Sequence, residues 1–176
     1  MPRFIVLLRG VNVGKANRVP MAEFRSLLER LGCTSVKTLL NSGNAVISSA
    51  GRSEVKHAKA ISEALREQLG VEVPVVVKSA SKFAAAISDC PAPPEAEHSR
   101  FLVAFAQDTA TLKTLTALES LVQAPERFSI RGHAAYLHCP SGIRESKAAK
   151  ALLGKVGRGV TTRNWATVLK LEALVG

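Results

Sequence analysis

Aspartate is nearly missing from this chain: Asp89 and Asp108 are the only two among 176 residues. That excludes a magnesium site built from clustered aspartates. Histidine is sparse too, with four residues, and His57 and His98 stand without a ligand set at metal spacing. His133 and His138 lie five apart on one predicted strand and so face opposite sides of the sheet, with Cys139 turned away from its neighbour. No metal site is expected, and no cofactor is implied. The three cysteines, Cys33, Cys90 and Cys139, are widely spaced and odd in number. They suit reduced thiols in a cytoplasm better than a disulfide framework. Cys33, just past Gly32, reads as a small buried thiol. No Ser-His-Asp order or nucleophile elbow occurs. No apolar run approaches the length of a membrane span. Met1-Pro-Arg-Phe-Ile5 leads straight into a predicted strand without the pattern of a signal peptide, so secretion is not expected. A cytoplasmic globular protein is expected.

Positive charge, by contrast, is abundant. The net charge is +10, with 24 lysines and arginines against 14 acids. Residues 1–20 hold four cations and no acid, and residues 131–176 hold eight cations against Glu145 and Glu172. Between them the chain is neutral. The whole excess sits at the two ends, and if they met they would form a positive surface for a polyanion or a phosphorylated ligand.

Phe4–Leu8 is a continuous apolar run, read as a buried strand. Met21, Phe24, Leu27, Leu28 and Leu31 then recur at helical spacing after Pro20, and Gly32 ends the helix. Val36–Leu40 and Ala45–Ser49 read as strands about the tight turn Asn41-Ser42-Gly43-Asn44. Ser53 caps a helix that runs to Leu69 and stops at Gly70. Val73–Lys78 is a β-branched strand. A short helix near Lys82–Ser88 leads into Cys90-Pro91-Ala-Pro93-Pro94, a stiff linker.

After the linker the pattern restarts. Arg100-Phe-Leu-Val-Ala-Phe105 echoes Arg3-Phe-Ile-Val-Leu-Leu8 in character. A helix is expected over Ala110–Val122, strands at Phe128–Arg131 and Ala134–His138, and a helix after Ser141 near Ile143–Leu153. The last strand is expected to be missing or displaced, followed by a helix near Arg163–Val175. The predicted class is α+β: two tandem ferredoxin-like, split-βαβ pseudo-repeats, the second imperfect with an extra C-terminal helix. The expected divisions are residues 1–79, a helix and proline-rich linker over 80–99, and residues 100–176.

This connectivity places residues. Strands one and two of a βαββαβ unit run the same way, so the Arg9–Arg18 loop and the Asn41–Asn44 turn should share one rim, about 10 Å apart. Free glycine amides, asparagines and fixed charge converge there, as proteins commonly hold an anion. The candidate binding residues are Arg9, Asn12, Gly14, Lys15, Asn41 and Asn44. Arg163 and Asn164 form a second candidate at the start of the final helix, where Thr161, Thr162 and Asn164 can cap and the helix dipole is positive. The two basic ends are expected to form one site. Trp165, at helical spacing with Val168 and Leu169, reads as a core anchor.

Leu7-Leu-Arg-Gly-Val-Asn-Val-Gly-Lys15, Val19-Pro-Met-Ala-Glu23, Asn41-Ser-Gly-Asn44 and Thr161-Thr-Arg-Asn-Trp-Ala-Thr-Val168 together resemble a widespread, mostly bacterial family catalogued as domain of unknown function 1697. The similarity runs in order along essentially the whole chain. Lys15 stands where the family usually has a second glycine. Leu39, Leu40 and Asn41 stand where it has an aromatic and a glutamine. The resemblance implies a tandem α+β fold and no established activity.

Three functional classes remain. Gly10-Val-Asn-Val-Gly14-Lys15-Ala16 is not a P-loop: it has three residues between its glycines and alanine after the lysine. The first half lacks the aromatics on its central strands that an RNA-recognition platform needs, which leaves nonspecific phosphate contact as the nucleic-acid reading. Acylphosphatases pair a first-loop arginine with an asparagine on a neighbouring strand, and Arg9 with Asn41 or Asn44 is similar in type. The leading reading is a phosphate-bearing ligand, a small molecule or a nucleic acid, bound at the basic rim. The alternatives are a phosphoryl or acyl-phosphate hydrolase or transferase at that rim, and a protein interaction module. No membrane partner is expected.

Overall fold

The computed structural model describes all residues, Met1–Gly176. The chain is a mixed α+β protein with two four-stranded antiparallel sheets and six α-helices. It divides into two compact units, Met1–Phe83 with Leu171–Gly176, and Ala84–Lys170. The first cut falls inside helix α3 (Ala80–Ser88) and the second inside α6 (Trp165–Val175). No helix is long and apolar enough to cross a membrane.

The first unit runs β1 (Arg3–Leu8), α1 (Met21–Arg30), β2 (Thr34–Leu39), β3 (Asn44–Ser48), α2 (Glu54–Leu69) and β4 (Val75–Ser79), with strand order β2-β3-β1-β4. β1 is paired on both edges, Leu7 opposite Asn44 of β3 and Val76 of β4. Its side chains alternate between faces. Phe4, Val6 and Leu8 join Ala45, Ile47 and Val77 in a core with Phe24, Leu27 and Leu28 of α1 and Ile61 and Leu65 of α2. Ile5, Leu7, Val46 and Val76 point the other way and are buried as well. Burial on both faces is why β1 reads as an unbroken apolar run.

Local chemistry sets the helix ends. The Ser53 Oγ accepts the Lys56 amide at 3.2 Å, and Gly70 closes α2 in the left-handed region at φ +65°. The Glu54 carboxylate accepts from the Ser79 amide and, at 2.9 Å, from Lys82 Nζ, tying the start of α2 to the end of β4. Partial burial opposes the charge there, but the bonds from Lys82 and the Ser79 amide and the field of Lys78 hold the carboxyl below its ordinary pKa.

The second unit runs β5 (Phe101–Phe105), α4 (Thr109–Lys113), β6 (Arg127–Ile130), β7 (Ala135–His138), α5 (Lys147–Leu153), β8 (Thr161–Asn164) and the first part of α6, with strand order β6-β7-β5-β8. Leu102, Ala104, Leu112, Leu115, Leu118, Leu137, Ala149 and Leu152 form its core. Four expectations are corrected here. The final strand is present: Thr161–Asn164 pairs antiparallel with β5, Arg163 opposite Val103. Four polar residues squeezed between Gly159-Val160 and the final helix carry too little pattern to read as a strand. The helix expected over Ala110–Val122 is α-helical only to Lys113 and then tightens into a 3-10 stretch, Thr114–Leu121. The helix expected near Ile143–Leu153 begins only at Lys147, capped by Ser146, whose Oγ accepts the Ala149 amide at 3.0 Å. His133 lies in the turn before β7, so His133 and His138 do not share a strand.

Gly43 sits in the turn before β3 at φ +85°, and a Cβ there would lie 2.7 Å from the Leu8 Cβ and 2.8 Å from Val11 Cγ2. Gly43→Ala should cost about 2–3 kcal/mol through backbone strain and overpacking. Gly132→Ala, with open space around it, should stay within about 0.5 kcal/mol of the native protein. Urea denaturation of both variants checks this, and equal stabilities would refute it. A second expectation concerns acid. The stability from Glu54 is present above the ordinary carboxylate pKa and is lost as pH falls through its lower folded-state value. Glu54→Gln should therefore lose less stability than the native protein on acidification, measured by denaturation at neutral and acid pH.

Candidate functional site

β1 delivers its end to a crowded rim. The Leu8 amide donates to the Gly43 carbonyl at 2.9 Å and the Arg9 amide to the Pro74 carbonyl at 3.1 Å. The loop after β1 is thereby held between the β2–β3 turn and the segment leading into β4. Val11 and Val19 are buried at its two feet, and Val13 is 74% exposed at its crest. Gly10, Asn12, Gly14 and Asn17 all take positive φ, between +52° and +67°. Glycine and asparagine are the residues that tolerate this region most readily, which accounts for their density here.

Asn12 is the brace of the loop. Its amide N–H donates to the Asn17 carbonyl at 3.1 Å, closing the arch. Its side-chain Nδ2 donates to the Val19 carbonyl at 2.8 Å and to the Asn41 carbonyl at 2.6 Å. Its Oδ1 accepts the Val19 amide at 2.8 Å. One side chain thus joins both feet of the loop to the turn after β2. In that turn the buried Asn44 donates from Nδ2 to the Leu39 carbonyl and to Ser42 Oγ, each at 2.8 Å.

Six of the candidate residues, Arg9, Asn12, Gly14, Lys15, Asn41 and Asn44, therefore lie in a loop and a turn that hydrogen-bond directly to each other. Their roles differ. Asn12 and Asn44 spend their amides inside the rim. Lys15, Arg18 and Asn41 are exposed, and Arg18 makes only a long bond, 3.4 Å, to the Gly14 carbonyl. Arg9 is half-buried, and desolvation pulls its pKa below the ordinary value. A guanidinium still keeps its charge at neutral pH.

Arg163 and Asn164 belong to the second unit. Arg163 is buried in β8, donating from Nη1 to Thr161 Oγ1 at 2.7 Å and to the Thr162 carbonyl at 3.0 Å. Burial brings its pKa down to about 10, so it stays cationic. Asn164 caps α6, its Oδ1 accepting the Thr167 amide at 3.0 Å. Trp165 is buried edge-on against Phe101, ring centroids 5.4 Å apart, as a core anchor should be.

Two features escaped the sequence reading. The Pro74 carbonyl that anchors Arg9 has no sequence signal, because only strand pairing brings it there. Phe101, Tyr136 and His138 on the central strands of the second sheet did have one, the period-two spacing of Tyr136 and His138.

Asn12→Ala should lower the unfolding free energy by about 1–3 kcal/mol, because it orphans the Val19 amide and frees the Asn41 carbonyl. It should also make the amides of residues 13–18 exchange faster. Hydrogen exchange and urea denaturation measure both, and an unchanged loop in a stable variant would show that the brace is idle.

The whole-chain comparisons agree with this fold. The solved structure of the conserved bacterial protein SP0830 from Streptococcus pneumoniae is similar to this chain, with a TM-score of 0.83 and 24% identity over 99% of each chain. At that identity the likeness shows the fold alone. No curated protein matches the sequence. A family model described as "Protein of unknown function (DUF1697)" matches residues 1–136, taking in β1, the Asn12 loop, the β2–β3 turn and most of the second sheet. The chain belongs to the DUF1697 family of proteins of unknown function.

Proposed function

We propose that the rim of the first unit binds a phosphate-bearing ligand, with Lys15, Arg18 and Arg9 supplying the charge, Asn12 holding the loop that presents them and Asn44 the turn beside it. The observation that carries this reading is the Asn12 brace under an arch with three cations and no acid. Charges fixed on an ordered loop cost little reorganisation when an anion arrives. The amides around Gly14, at positive φ, add donors that a phosphate can use. Neither loop nor turn contains His, Asp or Glu, so binding is favoured over acid–base chemistry.

The same reading takes the two units as copies of one ferredoxin-like, split-βαβ plan. Its support is that each sheet has the same strand order when the strands are counted from its own first strand. A cytoplasmic setting is part of the proposal, supported by three buried, free cysteines.

Thermal shift against nucleotides, sugar phosphates and short oligonucleotides tests the proposal, since a ligand at a hundredfold excess over its Kd stabilises by about 2.7 kcal/mol. Lys15→Ala and Arg18→Ala should each weaken the best ligand about tenfold or more. If the ligand is a single strand, log affinity should fall with log salt at about −0.7 per phosphate neutralised. Unchanged affinity in both variants, or no stabilisation by any phosphate compound, would leave the rim a structural loop.

A further inference from the structure

The second unit carries a cleft of about 190 Å³ on the face of its sheet away from the Leu102–Leu137 core. Strand register builds it. Arg127 stands opposite His138, which stands opposite Phe101, and Ser129 stands opposite Tyr136. Directly opposed residues project to one side, so a cation, an imidazole and an aromatic ring form one row across three strands. Arg131 and the linker residues Pro91 and Ala92 complete the walls.

The floor is rigid. The buried Tyr136 hydroxyl donates to the Ala86 carbonyl. The Phe101 ring packs against His138 at 5.5 Å, Tyr136 at 6.4 Å and Trp165 at 5.4 Å between centroids. The mouth is positive. Arg127 and Arg131 are exposed, and the protein's ion pairs use Arg25, Lys82 and Arg100 instead. Two guanidinia outside any ion pair therefore flank an aromatic-walled cleft, at which the Asp89 carboxylate also acts on Tyr136.

Each part constrains the occupant. A volume well under the ~300 Å³ of a drug-sized site admits a single ring. Aromatic walls favour a flat ring packed edge or face against them. Planar guanidinium forks match the oxygens of a phosphate in pairs, and two forks suit a dianion. We propose that this cleft binds a single-ring aromatic phosphate of the pyrimidine-nucleotide kind, its ring against Phe101 and His138 and its phosphate on Arg127 and Arg131.

The lone tryptophan, packed on Phe101, makes the test direct. Uridine 5′-monophosphate should change Trp165 fluorescence saturably, with calorimetry as the second readout. Uridine, which lacks the phosphate, and ribose 5-phosphate, which lacks the ring, should each bind at least about tenfold more weakly. Arg127→Ala and Arg131→Ala, both at exposed positions, should each weaken binding about tenfold with unchanged thermal midpoints. Arg127→Lys should recover part of it, since charge returns without the fork. Lys15→Ala and Arg18→Ala should leave this binding untouched, which separates the cleft from the rim of the first unit. The assignment fails if neither readout saturates with uridine 5′-monophosphate, or if ribose 5-phosphate binds equally well. It fails equally if folded arginine variants bind like the native protein, or if the Lys15 and Arg18 variants lose the binding.

Discussion

Double-sided pairing of the central strands is the constraint from which the rest of each unit follows. β1 is hydrogen-bonded to β3 on one edge and β4 on the other, as β5 is to β7 and β8. A strand so placed cannot slip by one residue without exchanging its two buried side-chain sets between faces and breaking both ladders. Register therefore fixes which residues reach each rim and which line each face. In the first unit it sets the loop after β1 against the turn after β2. In the second it aligns Arg127, His138 and Phe101 across three strands.

Within that frame, polar side chains do local structural work before any ligand is considered. Asn12 satisfies backbone groups at both feet of its loop, and Asn44 does the same for the turn. Backbone groups in an irregular segment must find partners, and side-chain amides supply them where no ladder runs. The exposed cations owe their positions to this framework. The buried Arg163 shows the opposite economy, for its Nη1 donates to Thr161 Oγ1 and the Thr162 carbonyl within its own strand. Arg18 and Arg163 thus sit in different settings, distinguished by burial and not by charge.

Much of the architecture was legible beforehand. The apolar run Phe4–Leu8, the cap at Ser53 and the stop at Gly70 each carry a local physical signal, and each appears where expected. The rim was legible through connectivity, because parallel strands joined by a crossover must release their following loops at one end. The short strand β8 was not, since Thr161–Asn164 gains strand character only from pairing with β5. The same holds for the start of α5, expected near Ile143 and set at Lys147 by the Ser146 cap.

By itself, then, the sequence determined most of the element types, the class, and the concentration of cations and conformationally permissive residues in the loop after β1. These are short-range properties, decided by periodicity, propensity and the steric freedom of glycine and asparagine. Only the tertiary structure decided which of those residues are braces and which face outward, because Asn12, Asn41 and Val19 meet through strand pairing and not through proximity in the chain. It likewise decided that Arg163 is buried while Arg127 and Arg131 flank a cleft. Burial depends on what packs around a side chain, and composition carries no record of that.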